Sequence, residues 1–268
     1  MFNRHSSYPF TCLRKEGITG QCDLIGKVRH GQWLWHDARS RSGLLNHPID
    51  EQDKYRRNMQ PVDARLVQVQ NEVREAFGWS LESDIDSALL LRSECTNPPS
   101  AIRLSGTVTV VGAAAPDGVT SPHPIIAADG AVGAVADLSQ VILVVSDGDG
   151  SPYLERSLNR GIPICLHAHG DNITSWRNVI SIIDSTQEVI LTHQTPNTID
   201  GMYNPGGFTD GDRAVCIAYA LGADEVELIG FSTGDVGKWS GVTDVKRKLT
   251  KLTWMKRILG ILSLEVEP

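Results

Sequence analysis

Two aspartates separated by one glycine end the apolar run "QVILVVSDGDG", which sets Asp147 and Asp149 directly after a stretch of β-branched residues. Hard divalent cations take carboxylate oxygens, and Mg²⁺ commonly combines one or two carboxylates with the phosphates of a substrate. Asp-Gly pairs also dominate ordinary turns, so the motif by itself fits either use. Asp129 in "PIIAADG" and Asp171 in "IPICLHAHGD" follow two neighbouring apolar runs. With them the reading moves to a metal site built from Asp129, Asp147, Asp149 and Asp171.

Two histidines, His167 and His169, end the same run as Asp171. A His-x-His pair at a strand end can bind Zn²⁺, with Asp171 and the later His193 completing a hydrolase-like set. No further His or Cys lies at conventional ligand spacing, so a contact from His167 or His169 to a sugar, base or phosphate is the preferred reading. In "GGFTDGDRA", Thr209 or Asp210 can cap a helix and Asp212 complements its positive end. Backbone N–H groups at such a terminus can also hold a phosphate, with Arg213 as counter-charge. Gly112, Asn172 and Lys238 join His167, Thr209, Asp212 and Arg213 as candidates for binding the nucleotide. Lys248 and Lys251, on a basic C-terminal stretch, can also reach a triphosphate. "GFSTGDVGK" is not a P-loop, because Ser232 stands where the first glycine belongs and Trp239 where Ser or Thr is required. "VVGAAAPDG" is not a dinucleotide fingerprint, since Ala114 replaces the second glycine.

These residues need a scaffold that delivers them to one place. "TVTVVG", "PIIAADG", "QVILVVSDGDG", "IPICLHAHGD", "EVILTHQTP" and "EVELIGF" are short, almost wholly apolar and β-branched, as strands covered on both faces are. Helices are predicted at Tyr153 to Asn159, Ser175 to Ile183 and Asp212 to Leu221, with a closing amphipathic helix over "VTDVKRKLTKLTWMKRILGIL". The alternation predicts an α/β fold: a doubly wound, mostly parallel, Rossmann-like sheet with helices on both faces. In such sheets ligands bind beyond the carboxyl ends of the strands, where all the polar clusters fall. Before the sheet, Val62, Leu66, Val69 and Val73 share a helical face, and "ESDIDSALLLRS" predicts a second helix. The domain reading is therefore an extension over residues 1–55, loosely ordered by composition, a helical region over 56–100, and an α/β catalytic domain over 101–268. The tandem prolines of "TNPPS" mark the last boundary.

Composition narrows the field. The 268 residues carry a formal charge of −7, which excludes a general basic surface for nucleic acid. Five cysteines without a CxxC pair read as reduced cytosolic thiols. No apolar run approaches the roughly 20 residues that cross a bilayer, and "MFNRHSSYPFTCLRK" lacks a signal-peptide core. The expectation is a cytoplasmic protein with no membrane or nucleic-acid partner. A homodimer is compatible with it.

Taken in order, "IIAADGAV", "VSDGDG", "HAHGDN", "THQTPN", "GGFTDGDRA" and "LIGFSTGDVGKWS" resemble the archaeal 6-hydroxymethyl-7,8-dihydropterin pyrophosphokinase family, the MptE-like proteins. The likeness runs from about Thr107 to Leu262, and the helices around "VREAFGWSLESDIDSALLL" resemble that family's N-terminal region. It implies transfer of diphosphate from ATP, as co-substrate, to the hydroxymethyl group of a reduced pterin, with release of AMP in folate or methanopterin synthesis. The implied fold is similar to the catalytic domain of thiamine pyrophosphokinase, and Mg²⁺ is the implied metal, at Asp129, Asp147, Asp149 and Asp171. Asp147, Asp149, Asp171 and His169 become the catalytic candidates, with His169, His167 or Asp171 as a general base. Gly148 departs from the leucine usual in the family and is expected to loosen its turn. The loop after the first strand is "GAAAPDG" in place of a glycine-proline loop. Trp176 and Trp239 are candidates for stacking on the pterin. The alternatives are a sugar-nucleotide glycosyltransferase of the motility-accessory type, a metal-dependent hydrolase, and a non-catalytic nucleotide-binding module.

Overall fold

The structure, a computed structural model, describes residues 24–29, 32–37, 59–241 and 244–266. The chain divides into two units, residues 1–49 and 50–268. In the first, β1 (Leu24–Arg29) and β2 (Gln32–Asp37) pair antiparallel, a strand pair that the sequence reading did not foresee. The rest of the expected loose extension lies outside the described residues.

The second unit opens with α1 (Arg65–Phe77) and α2 (Leu81–Glu94). Leu66, Val69 and Val73 form the buried face of α1, as their spacing requires; Val62 lies ahead of the helix and is exposed. Ser80 caps α2, its side chain accepting from the Ser83 N–H. The "TNPPS" segment then lies along the sheet, where Pro98 O accepts from Val189 N.

All six apolar runs form strands: β3 (Thr107–Val111), β4 (Ile125–Ala128), β5 (Val141–Ser146), β6 (Ile164–Ala168), β7 (Val189–His193) and β8 (Glu225–Ile229). They make one sheet in the order β7-β6-β5-β4-β3-β8, with every neighbouring pair parallel. Parallel strands need covered crossovers, and the helices supply them on both faces. α2, α3 (Tyr153–Leu158) and α4 (Ile173–Ile182) cover one face over Ile125, Val144, Ile164 and Leu166. α5 (Asp210–Ala220) and α6 (Val245–Ile261) cover the other over Val108, Val110, Leu143 and Val145. Along β3 to β7 alternate residues enter opposite cores, so both faces of those strands are covered, whereas Glu225 and Glu227 of the edge strand β8 are exposed. No helix among the described residues is long and apolar enough to cross a membrane.

Trp176 is fully buried against this first face, and its indole N–H donates to Ser87 Oγ at 3.2 Å. It is a core residue that pins α4 to α2, and the expectation of a pterin-stacking role for it is corrected.

Candidate active site

Since all six strands are parallel, the residues that follow them reach one edge of the sheet. Gly112, Asp129, Asp147, His169, Gln194 and Gly230 come after β3, β4, β5, β6, β7 and β8 in turn, and all line one cleft of about 400 Å³. That volume is within the range that holds a nucleotide-sized ligand. α5 and α6 contribute Thr209, Asp210, Arg247, Lys248 and Lys251, and the α1–α2 connection contributes Trp79.

Asp129, Asp147 and Asp149 meet in this cleft, with ligand oxygens within 4.8 Å of one another. The local sequence explains how. Ser146 Oγ donates a short hydrogen bond to Asp129 Oδ1 and accepts from Gly148 N at 2.8 Å, so one hydroxyl joins the ends of β4 and β5. Gly148 has φ +98°, and a Cβ there would sit 2.8 Å from the Ser175 carbonyl carbon. The glycine therefore tightens the turn against α4, contrary to the looser turn expected. A Cβ on Gly150 would fall 2.4 Å from either oxygen of Asp129, so "SDGDG" needs its last glycine to admit the third carboxylate. Asp129 itself has φ +49°, an uncommon conformation for a non-glycine residue and one that collects at functional sites.

The acids oppose one another electrostatically. Burial, then the charges of Asp210, Asp147 and Asp149, raise Asp129 well above the carboxylate range. Desolvation and Asp147 push Asp149 up to about 6, and the same two causes push Asp210 up to about 7. Burial opposes ionisation of Asp147 too, but the hydrogen bond and charge of His169 more than offset it and hold Asp147 below its ordinary value. Carboxylates held this close favour a divalent cation, whose charge removes their repulsion. The all-oxygen donor set suits Mg²⁺. Asp210 is the residue that sequence reasoning missed. It was read as a helix cap, whereas Thr209 and Asp212 form the capping box, which leaves Asp210 at the cleft.

The remaining candidates are placed unequally. Asp171 lines the cleft, yet its side chain is 77% exposed and it joins His169 Nδ1 at 2.7 Å; it is not brought into the acid triad. His169 bridges Asp171 and Asp147, with Nε2 3.2 Å from Asp147 Oδ2. Burial disfavours its charged form, but the two carboxylates outweigh this and raise it to about 9. That shift favours the imidazolium over the free imidazole that a general base requires. His167 is fully buried beneath the cleft and pairs through Nδ1 with Thr192 Oγ1 at 3.1 Å, out of reach of a bound nucleotide. Asn172 is a clasp. Its Nδ2 donates to Asp147 O and His167 O, and its Oδ1 accepts from His169 N.

Asp212 is buried and accepts from Phe208 N and Thr209 N, so it caps the helix and faces no ligand. Arg213 is buried behind the cleft and donates through Nη2 to Phe208 O at 2.8 Å. Lys238 turns outward to Asp117 at 2.6 Å and is not brought to the cleft. For Asp212, Arg213 and Lys238 the expected phosphate contact is corrected by this placement. Trp239 does line the cleft, its indole N–H donating to Ala115 O. The zinc set does not assemble. His193 is buried and its Nδ1 meets Thr195 N and Oγ1, and among the described residues the acid triad is the group whose ligand atoms converge.

One structural residue had no signal in the sequence. Asp84 of α2 is buried, where it accepts from Arg74 Nε, Gln194 Nε2 and the backbone N–H of Gly170. It ties the helical region to the loops after β6 and β7, and so to the wall that carries His169.

The fold and this cleft define an α/β protein whose sheet edge sets an acid cluster against a cationic helix, an arrangement suited to metal-bound phosphates. No family model matches the chain. It is 42% identical over 119 residues to the 6-hydroxymethyl-7,8-dihydropterin pyrophosphokinase of Pyrococcus furiosus, covering 43% of this chain and 48% of that one. To the protein of the same name from Methanothermobacter thermautotrophicus it is 34% identical over 141 residues, 51% of this chain and 58% of that one. A third of that name, from Methanocaldococcus jannaschii, is 28% identical over 230 residues, 74% of this chain and 94% of that one. The chain thus spans about half the length of the first two relatives that it matches. The resemblance drawn from its motifs is borne out by these similarities.

Proposed function

We propose that the chain is a pyrophosphokinase that moves diphosphate from ATP to 6-hydroxymethyl-7,8-dihydropterin and releases AMP. The observation that carries this reading is the pairing, across one cleft, of Asp129, Asp147 and Asp149 with Arg247, Lys248 and Lys251. The similarity to three relatives bearing that enzyme name supports it.

In the reaction the acceptor hydroxymethyl oxygen forms a bond to the β-phosphorus, and the bond from that phosphorus to the oxygen retained by AMP breaks. The hydroxyl proton leaves to solvent or a nearby carboxylate. Such transfers need alignment and charge stabilisation more than covalent help. Asp129, Asp147 and Asp149 would hold Mg²⁺, which supplies neutralisation of the phosphate charge. Arg247, Lys248 and Lys251 meet the phosphate oxygens from the opposite side. His169, charged between two carboxylates, fixes the orientation of Asp147. Asp210 supplies further acceptor oxygens beside the cluster. A product of this kind feeds folate or methanopterin synthesis in the cytoplasm.

The test is to incubate the chain with ATP, Mg²⁺ and 6-hydroxymethyl-7,8-dihydropterin and to separate the nucleotides. AMP equal in amount to pterin diphosphate supports the reading, and EDTA should abolish it. ADP as the nucleotide product, or no pterin-dependent AMP, would overturn it.

A further inference from the structure

Among the described residues, none of the three cations that α6 sends to the cleft, Arg247, Lys248 and Lys251, forms a side-chain ion pair. Elsewhere the same residue types are neutralised. Lys238 meets Asp117, and Arg257, further along α6, meets Glu72. Like charges one turn apart on a helix repel, so Arg247 and Lys251 need something to hold them side by side. That support is aromatic. Lys251 Nζ lies 5.7 Å from the centre of the Trp79 ring and 5.6 Å from that of Phe208, and the Arg247 guanidinium lies 5.7 Å from Trp79. All three distances fall within the roughly 6 Å over which a ring face attracts a cation.

Both rings are fixed by the chain around them. α1 ends at Gly78, whose φ of +67° turns the backbone; Gly78 N donates to Glu75 O and Trp79 N to Arg74 O at 2.9 Å, the pattern of a Schellman end. Ser80, next in sequence, caps α2. Trp79 is thus held between the end of one helix and the start of the next, and Phe77 stacks on it with centroids 4.7 Å apart and planes at 19°. Phe208 lies 5.9 Å from Trp79. Its N–H donates to Asp212 and its carbonyl accepts from Arg213, two buried charges that face no ligand. The nature of the support matters chemically. A carboxylate would hold the ammonium but cancel its charge and occupy its N–H groups, as Asp117 does to Lys238. A ring face restrains the cation and leaves its charge and donors available, so Lys251 can turn to an oxygen of an incoming anion.

We propose that Trp79 and Phe208 are positioning residues that seat Lys251, and in the case of Trp79 also Arg247, on the basic wall without neutralising them, so that these cations meet the phosphate chain of the nucleotide. This rests on the reading that the cleft takes a polyphosphate, but not on the identity of the acceptor substrate. It gives the helical region ahead of the sheet a part in nucleotide binding, through the residue that joins α1 to α2.

The rival role for an aromatic residue in this cleft is to stack on a ring of the substrate, and the two roles separate by ligand. The probes are ATP and inorganic tripolyphosphate, each with Mg²⁺, titrated calorimetrically into the full chain, with thermal melts to establish folding. Trp79→Leu should weaken both by about fivefold, and Trp79→Phe, which restores a ring face, should recover most of that loss. A loss confined to ATP would show that Trp79 stacks on the base, and would overturn the proposal. A double-mutant cycle gives the second measurement. In a chain carrying Arg247→Met and Lys251→Met, Trp79→Leu should weaken tripolyphosphate binding by less than about twofold further, because the groups it seats are gone. The full fivefold loss in that background overturns the positioning role alone. Wild-type chain that binds neither ligand removes the polyphosphate reading of the cleft, and the seat with it. Should Trp79→Leu fail to fold, Phe208→Leu against Lys251→Met is the equivalent cycle, with the same two outcomes.

Discussion

The two walls of the cleft are built in opposite ways. The acid wall consists of strand ends, held by Ser146, Asn172 and the close approaches at Gly148 and Gly150. Its carboxylates face one another at a cost that only charge compensation relieves. The basic wall is one turn-and-a-half of α6, where Arg247, Lys248 and Lys251 project from a helix with long side chains. Lys251 Nζ lies 5.7 Å from the centre of the Trp79 ring and 5.6 Å from that of Phe208, while Arg247 lies 5.7 Å from Trp79. Desolvation, then Lys248, lowers the Lys251 ammonium below its ordinary value, although Asp147 and Asp210 pull the other way. The difference teaches a division of labour. A metal needs ligands fixed to fractions of an ångström, and strand ends supply that; phosphates of a mobile substrate are met by charges that can follow them.

If the acid wall is the rigid half, losing one of its ligands must have the largest effect. Asp147→Asn should lower AMP formation by about 10³-fold, the scale of losing one charge-stabilising group, with circular dichroism showing that the fold is kept. Activity within tenfold of wild type would break the comparison.

The next effect is on stability. Asp84→Ala leaves the Arg74 guanidinium buried and unpaired and frees the Gly170 N–H, so it should cost about 3–5 kcal/mol in urea unfolding. A loss under about 1 kcal/mol would mean that the helical region does not brace the acid wall.

A third test uses pH. Burial, then the charge of Arg213, lowers His193 from 6.5 to about 4. Above pH 6.5 the residue is neutral in both folded and unfolded chains. Between 6.5 and about 4 the unfolded chain takes a proton that the folded chain refuses, so stability falls as pH falls, by about 3 kcal/mol at the lower limit. In His193→Asn the difference between urea midpoints at pH 7 and pH 5 should shrink; an unchanged difference would remove His193 as its source.

The smallest effect belongs to the basic wall. Lys251→Met should raise KM for ATP by about tenfold with kcat little changed, since one phosphate contact from a half-buried lysine amounts to about 1–2 kcal/mol. A fall in kcat with KM unchanged would show that the lysine acts in the transition state, and that the second wall is as exacting as the first.

How far the sequence could be read follows the same division. Six largely apolar runs identified six strands because a parallel sheet buries both faces of all but the edge strand β8, whose Glu225 and Glu227 stay exposed. Asp129, Asp147 and Asp149 were legible because each follows its run directly, and parallel strands deliver their ends to one edge. Asp171 followed the same rule and still fell outside the triad. Two residues beyond His169, it points to solvent, and strand order says nothing about where a loop side chain turns. Asp210 and Asp212 could not be told apart by spacing, because either aspartate can cap a helix; only the position of the first turn of α5 decided it. Arg213 and Lys238 illustrate the limit for cations, one sealed behind the cleft and the other drawn away by Asp117.

By itself, then, the sequence determined the strands, their common edge and the acids that end them, because period and composition are local. Only the tertiary structure decided which polar side chains face the cleft, which are spent on caps and clasps, and that Asp84 braces the whole edge. The bracing depends on contacts between segments more than 80 residues apart, such as Asp84 with Gly170, and the caps and clasps depend on how each loop turns; no local pattern records either.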